Sequence, residues 1–186
     1  MMNNIFINYS LFILFLPLAA FLIQIFYGKR LPRQGDWVSI SAIGITLVLS
    51  IAMFVAMLLD YDPNFRQEAG FTWLDMGSFS IELGFLIDNI TVIMLLIVAL
   101  ISTCSHVFSL KYMKGDIRYS RYFAYLGLFT FSMNGIVLAN NLISMYMFWE
   151  LVGVSSYLLI GHWFEKDSAA DAAKKAFLTN RVGDIG

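Results

Sequence analysis

The chain has 186 residues, of which 59% are hydrophobic and only 13% charged, with a formal net charge of −1. A soluble domain carries roughly 25% charged residues, so the apolar excess here belongs in lipid. The near-neutral balance argues against a nucleic-acid partner held by bulk charge, and a single cysteine, Cys104, excludes a disulfide framework within the chain.

Runs of about 20 apolar residues, enough to cross roughly 30 Å of hydrocarbon, mark the crossings. The first covers 5–27. It is longer than a signal-peptide core and lacks a basic leader or small-residue cleavage site, so it reads as a retained span. Tyr9 and Tyr27 stand like interface anchors, and Pro17 predicts a kink. A basic loop over 28–36 leads to a second span, 37–59, which Asp60, Asp62, Pro63 and Asn64 end through turn chemistry. Partial alternation over 71–83 around Met76, Gly77 and Ser78 predicts a short β-hairpin on the membrane surface, with Asp75 and Glu82 in it. The third span is 85–110, with Cys104 read as a small buried apolar residue. The fourth is 119–139 and the fifth 141–163. Ser168 and Asp171 form a capping-box pattern that starts a sixth helix running to Gly186.

The expected fold is therefore an all-α polytopic membrane protein. It has five complete transmembrane helices plus the start of a sixth, with a short extracytoplasmic β-hairpin. Residues 1–83 form an N-terminal two-helix region with the hairpin, and 84–186 open a translocating helix unit. The last helix runs out of apolar residues around Arg181 and Asp184, which reads as the N-terminal fragment of a longer protein.

Loop charge predicts the orientation. Lys29, Arg30 and Arg33 follow the first span, Lys111, Lys114, Arg118 and Arg121 the third, and Lys166, Lys174 and Lys175 the fifth. The intervening loops hold only Arg66. The basic side is expected to face the cytoplasm or its equivalent, with the N-terminus and the hairpin outside. A bacterial inner membrane is the expected location.

Glu150 carries the chemical interest. It lies nine residues into the fifth span, about 13 Å below the outer surface at 1.5 Å per residue. A carboxylate at that depth must find a cation or take up a proton, and either state suits proton transfer. Ionisable groups inside spans mostly mark ion or proton paths. Gly153, Ser155 and Ser156 follow it as small residues suited to close helix packing. Arg181 and Asp184, spaced i, i+3, share a helix face and are placed to pair with each other or to join a polar path to Glu150. His106 is a candidate proton relay, set against the reading of a hydrogen-bonded interface residue. Asp88 suits a helix N-terminus, with a coupling role as the alternative. His162, beside Trp163, reads as an interface residue. Neither a metal-spaced cluster nor a phosphate or dinucleotide loop occurs, so no redox cofactor is expected in this chain.

Residues 148–161 (Phe-Trp-Glu-Leu-Val-Gly-Val-Ser-Ser-Tyr-Leu-Leu-Ile-Gly) and 175–186 (Lys-Ala-Phe-Leu-Thr-Asn-Arg-Val-Gly-Asp-Ile-Gly) resemble the antiporter-like subunit L of proton-pumping NADH-quinone oxidoreductase, respiratory complex I. The mitochondrial counterpart is subunit 5. Residues 84–91 and 106–113 match two further stretches, and the likeness is looser up to about residue 80. The resemblance implies a distal proton-pumping subunit of the membrane arm, with other membrane-arm subunits as partners, above all the adjacent antiporter-like one. NADH, FMN, iron–sulfur clusters and quinone would be used by other subunits. It further implies that Glu150 pairs with a lysine on a seventh helix, and that Arg181 and Asp184 are the polar pair of the sixth. His162 stands where an aromatic residue is expected. The alternatives are a subunit of a cation/proton antiporter or membrane-bound hydrogenase, which share the fold, and a purely structural membrane protein.

Overall fold

Helical propensity and apolar length carry most of the described residues into helices, and the longest stretch between helices forms strands. In the computed structural model, which describes residues 3–75 and 80–185, α1 is Asn3–Tyr27, α2 Asp36–Leu59 and α3 Asn89–Tyr112. The remaining helices are α4 (Tyr119–Leu138), α5 (Leu142–Ile160) and α6 (Asp167–Ile185). Between α2 and α3 two strands pair antiparallel, β1 (Arg66–Asp75) and β2 (Ser80–Asp88). The predicted hairpin is present and longer than expected. Its ladder runs from Arg66 opposite Asp88 to Asp75 opposite Ser80, with a register shift between Thr72 and Leu74. The predicted turn at Met76, Gly77 and Ser78 lies outside the described residues.

Several local expectations change. The third helix starts at Asn89, not at 85, because residues 85–88 complete the ladder with β1. Phe85 also bridges to Ala139. Asp88 ends the strand and caps the helix, its Oδ1 accepting from the Thr91 backbone N–H at 2.7 Å. α6 begins at Asp167, so Ser168 sits inside the first turn rather than ahead of it. α1 continues as one helix through Pro17. Cys104 is exposed on the outer face of α3, not buried, and there it faces the same side as Ile101 and Phe108.

Among the described residues, four helical stretches are long and apolar enough to cross a membrane: Ile5–Arg30, Pro32–Leu59, Asn89–Tyr112 and Leu142–Trp163. α4 is similar in length but less apolar, for a reason of position. It lies at the centre, packed against α1, α2, α3 and α5, so its face must suit protein rather than lipid. It buries Thr130, Ser132 and Asn134. Thr130 and Ser132 hydroxyls bond back to Leu126 and Leu128 carbonyls, and Asn134 Nδ2 donates to Ile13 O at 3.1 Å. Such small and hydroxylated residues let helices approach within an apolar medium. The peripheral helices turn Phe12, Phe26, Val48, Leu58 and Leu100 outward.

The helices alternate in direction. One end gathers the basic loops: Tyr119 Oη donates to Asp36 Oδ2 at 3.1 Å, and Ser120 Oγ to Gln24 O at 3.1 Å. The other end holds the start of α1, the hairpin and the α4–α5 junction. There Phe6 packs on Phe65, and Asn141 Nδ2 reaches Glu82 O at 2.6 Å.

Close approach between α4 and α5 depends on Gly135, not on Gly153. A Cβ at Gly135 would stand 2.2 Å from the Phe148 ring, whereas one at Gly153 would meet nothing within 4 Å. Gly135→Ala is therefore expected to destabilise the protein by about 1–3 kcal/mol, the usual result of overpacking. Gly153→Ala should hold or gain stability. Thermal unfolding of the complete protein in detergent checks this, and equal midpoints for the two variants would contradict it.

Candidate functional site

α5 and α6 run antiparallel, and their register builds the site. Near the connecting turn, a Cβ on Gly161 would touch Ala173. One turn further in, the Tyr157 and Phe177 rings meet edge to face at 5.6 Å. Two turns further along α5 and one along α6, Arg181 forms an ion pair with Glu150. The guanidinium carbon of Arg181 also lies 5.2 Å from the Phe177 ring centre, one turn back on its own helix. Arg181 is thus held by an aromatic face and a carboxylate together, which is the geometry a planar cation suits.

Glu150 is mostly enclosed, with 18% of its side chain exposed against 37% for Arg181. Tyr146, one turn earlier on α5, presents its hydroxyl to Glu150 and also lies in the field of Arg181. Asp184 does not pair with Arg181, as its i, i+3 spacing suggested. It accepts instead from Trp149 Nε1 at 2.8 Å, across the helix interface. The reason is competition: Arg181 finds Glu150, a mostly enclosed carboxylate on a neighbouring apolar helix, where the attraction is less screened than between two groups on one exposed helix face. Two polar links, Glu150 to Arg181 and Trp149 to Asp184, therefore sit side by side. Tyr146 and Trp149 are the members that sequence reasoning missed. The i, i+4 spacing of Tyr146 from Glu150 was the available signal; Trp149 gave none, because an indole in a span reads as an interface anchor.

His106 belongs to a different seam, between α3 and α4. It is 1% exposed, six residues short of the helix end. Nδ1 donates to Ser102 O at 2.8 Å, and the ring lies 5.9 Å from Phe123. Ser102 Oγ in turn meets Thr130 Oγ1 at 2.6 Å. The other ring nitrogen, Nε2, is buried with no hydrogen-bond partner. Asp88 lies far off at the hairpin end, occupied by its capping role.

A polar latch at the basic end holds the start of α6. Asp116, in the α3–α4 loop, accepts from Trp163 Nε1 at 2.9 Å and from the Arg118 backbone N–H at 2.7 Å, with His162 Nε2 at 3.4 Å. Arg118 crosses to Glu165 as an ion pair, donates to His162 O at 3.2 Å and covers Phe164. His162 is buried, its ring edge-on to Tyr122. The latch joins two loops more than 40 residues apart in sequence. It sets where α6 begins, and so which of its residues reaches Glu150.

Two family models match the chain. Residues 73–123 match NADH-ubiquinone oxidoreductase (complex I), chain 5 N-terminus, and residues 139–186 match NADH:quinone oxidoreductase/Mrp antiporter, TM. The chain belongs to the complex I subunit 5 family. Among its relatives is the chloroplastic NAD(P)H-quinone oxidoreductase subunit 5 of Adiantum capillus-veneris. It is 46% identical over 141 residues, 74% of this chain and 19% of the relative. The same subunit of Cryptomeria japonica is 42% identical over 186 residues, 96% of this chain and 25% of the relative. The F(420)H(2) dehydrogenase subunit L of Methanosarcina mazei is 40% identical over 178 residues, 96% and 26% respectively. The chain thus spans about a fifth to a quarter of the length of these relatives. Among solved structures, the membrane-bound sulfane sulfur reductase, an archaeal respiratory membrane complex, superposes with a TM-score of 0.76. It covers 95% of this chain and 34% of that one at 15% identity, which establishes the shared fold.

In subunit 5 terms, Glu150, Tyr146 and Arg181 fall inside the second matched segment, and Asp88 and His106 inside the first. The latch ties the two segments together through Asp116 and His162. Burial pushes the Asp116 carboxyl up, but bonds from Trp163, the Arg118 backbone and His162 outweigh it and hold the group below the ordinary aspartate range. A lowered value means the folded form binds its proton less tightly than the unfolded chain. The stability that Asp116 adds is then present above about pH 4 and is lost as pH falls below that. Asp116→Asn should lower the thermal midpoint of the complete protein at pH 7. The gap to the unaltered protein should narrow as pH falls below about 4 and close once the folded carboxyl is itself protonated, when both carry an uncharged group. A gap that persists unchanged to low pH would contradict the charge-based role.

Proposed function

We propose that this chain forms part of a proton-translocating membrane-arm subunit of NADH-quinone oxidoreductase, with Glu150 as the group that carries or gates the proton. The observation that supports it most is the ion pair that joins Glu150, mostly enclosed on the apolar helix α5, to Arg181 of the more polar α6. A half-buried pair is a poor source of stability, since partial desolvation and solvent screening together consume most of its attraction. It is useful as a switch: moving Arg181 leaves Glu150 to bind a proton or another cation, and returning it expels the proton. The lysine implied by the family resemblance would compete with Arg181 for the same carboxylate. Tyr146 is placed to hold the carboxylate during the exchange. Asp184 and His106 act at a distance from it, Asp184 through Trp149 and His106 along the α3–α4 seam. Asp88 serves the fold by capping α3.

In this reading the chain crosses the bilayer five times, α4 being the crossing enclosed by the others, and α6 starts a sixth. The basic end faces the cytoplasm or the equivalent compartment, with the N-terminus and hairpin on the extracytoplasmic side. A bacterial inner membrane fits that arrangement; several relatives are named as chloroplastic. NADH oxidation and quinone reduction, with FMN and iron–sulfur clusters, take place in other subunits. This chain contributes no redox step, and its partners are neighbouring membrane-arm subunits. A reading as a subunit of a cation/proton antiporter finds support in the Mrp description of the second matched model, and the Methanosarcina mazei relative is named for a different electron donor.

The test uses the complete complex in inverted membrane vesicles. Glu150→Gln should lower NADH-driven proton uptake by tenfold or more, on the order of the loss when a proton-transfer group is removed. Full pumping by Glu150→Gln or Glu150→Ala, with assembly intact, would overturn the proposal.

A further inference from the structure

The basic end also holds a feature that proton transfer does not use. A cavity of about 790 Å³ opens between the α1–α2 linker, the end of α3 and the loop into α4. Three cations line it, Arg33, Lys111 and Lys114, against two carboxylates, Asp36, which is buried beneath Arg33, and Asp116, which is engaged by the latch. None of the ion pairs among the described residues involves Lys111 or Lys114, and all three side chains reach solvent-facing surface. Arg33 is held in place rather than free. It and Gln34 adopt left-handed backbone (φ 56° and 55°), followed by Gly35 at φ 78°. Such conformations in residues other than glycine persist only where the surroundings impose them. Here Arg33 Nη2 is tied to the buried Asp36 Oδ2 at 3.0 Å, and Gly35 O is held by Gln24 Nε2 at 2.6 Å. That leaves most of the guanidinium donors of Arg33 aimed away from Asp36.

Beside this charge stands bare apolar surface. Phe108 and Tyr112 stack at 5.5 Å on the outer face of α3, 67% and 60% exposed, and Ile117 at the loop tip is 90% exposed. An isoleucine so exposed among lysines suits a boundary where headgroups give way to acyl chains. We infer that this cavity binds the phosphodiester headgroup of an anionic phospholipid. Arg33, Lys111 and Lys114 would take the phosphate, and Phe108, Tyr112 and Ile117 would lie along the acyl chains. Basic pockets between helices on the positively charged side of a membrane protein suit such lipids. The inference rests on the proposed membrane orientation only in so far as the basic end lies at a bilayer surface.

The experiment places the complete complex in phosphatidylcholine nanodiscs containing a photoreactive phosphatidylglycerol, and maps the labelled peptides by mass spectrometry. Labelling is expected over 105–119. In Lys111→Gln/Lys114→Gln it should fall about 30-fold, as expected for the loss of two near-surface charges, with NADH-driven proton uptake unchanged. Equal labelling of that segment in the variant, or by a photoreactive phosphatidylcholine, would overturn the inference. Displacement by millimolar inorganic phosphate would also do so, because the ligand would then be free phosphate. If the double variant fails to assemble, competition by unlabelled phosphatidylglycerol against phosphatidylcholine on the unaltered complex decides on the same criterion. The phosphatidylcholine probe should in any case label the outer face of α2 around Val48 and Leu58; if it does not, the membrane reading itself fails.

Discussion

A carboxylate in an apolar helix needs a partner, and the antiparallel register of α5 and α6 supplies one. Glu150 meets Arg181 because the turn at Gly161 and Ala173, the Tyr157–Phe177 ring contact and the latch at the basic end all agree on one alignment. A shift of α6 by one residue would rotate Arg181 by about 100° away from Glu150. The pair is therefore less a source of stability than a readout of how α6 is held. This links two parts of the molecule: Asp116 and Arg118 at the basic end fix the entry of α6, and the Tyr157–Phe177 ring contact carries that alignment to the half-buried charge pair.

The second constraint is the position of α4. Because α1, α2, α3 and α5 surround it, its polarity is spent inward. Asn134 reaches the α1 backbone, Thr130 meets Ser102 of α3, and Gly135 admits the Phe148 ring of α5. The outer helices are consequently free to be uniformly apolar. His106 sits in the α3–α4 seam, with an unpartnered Nε2 beside the aromatic wall of Phe123.

Much of this was legible in the sequence, for identifiable reasons. α1 and α2 begin and end within two residues of expectation because long apolar runs flanked by charge and turn residues leave little choice. Period-two alternation revealed the hairpin. The start of α3 was misplaced because Phe85, Leu86 and Ile87 are apolar in either state, and only pairing with β1 decides for strand. The i, i+3 spacing of Arg181 and Asp184 pointed to a local pair, yet the contact across to α5 prevails, since local spacing carries no information about a neighbouring helix. The latch was illegible for the same reason: Asp116 and His162 are far apart in sequence, and each looks ordinary alone. Gly153 looked like a packing residue from its surroundings in the sequence, but it faces open space while Gly135 makes the close approach.

The central claim is that Glu150 and Arg181 act as one unit. A double-mutant cycle in the complete complex tests it most directly, with NADH-driven proton uptake measured for Glu150→Gln, Arg181→Gln and the pair combined. Residues that act as a unit are non-additive, so the double variant should lose little more than the worse single variant, with a coupling of about 0.5–3 kcal/mol. Strict additivity of the two losses would contradict the account.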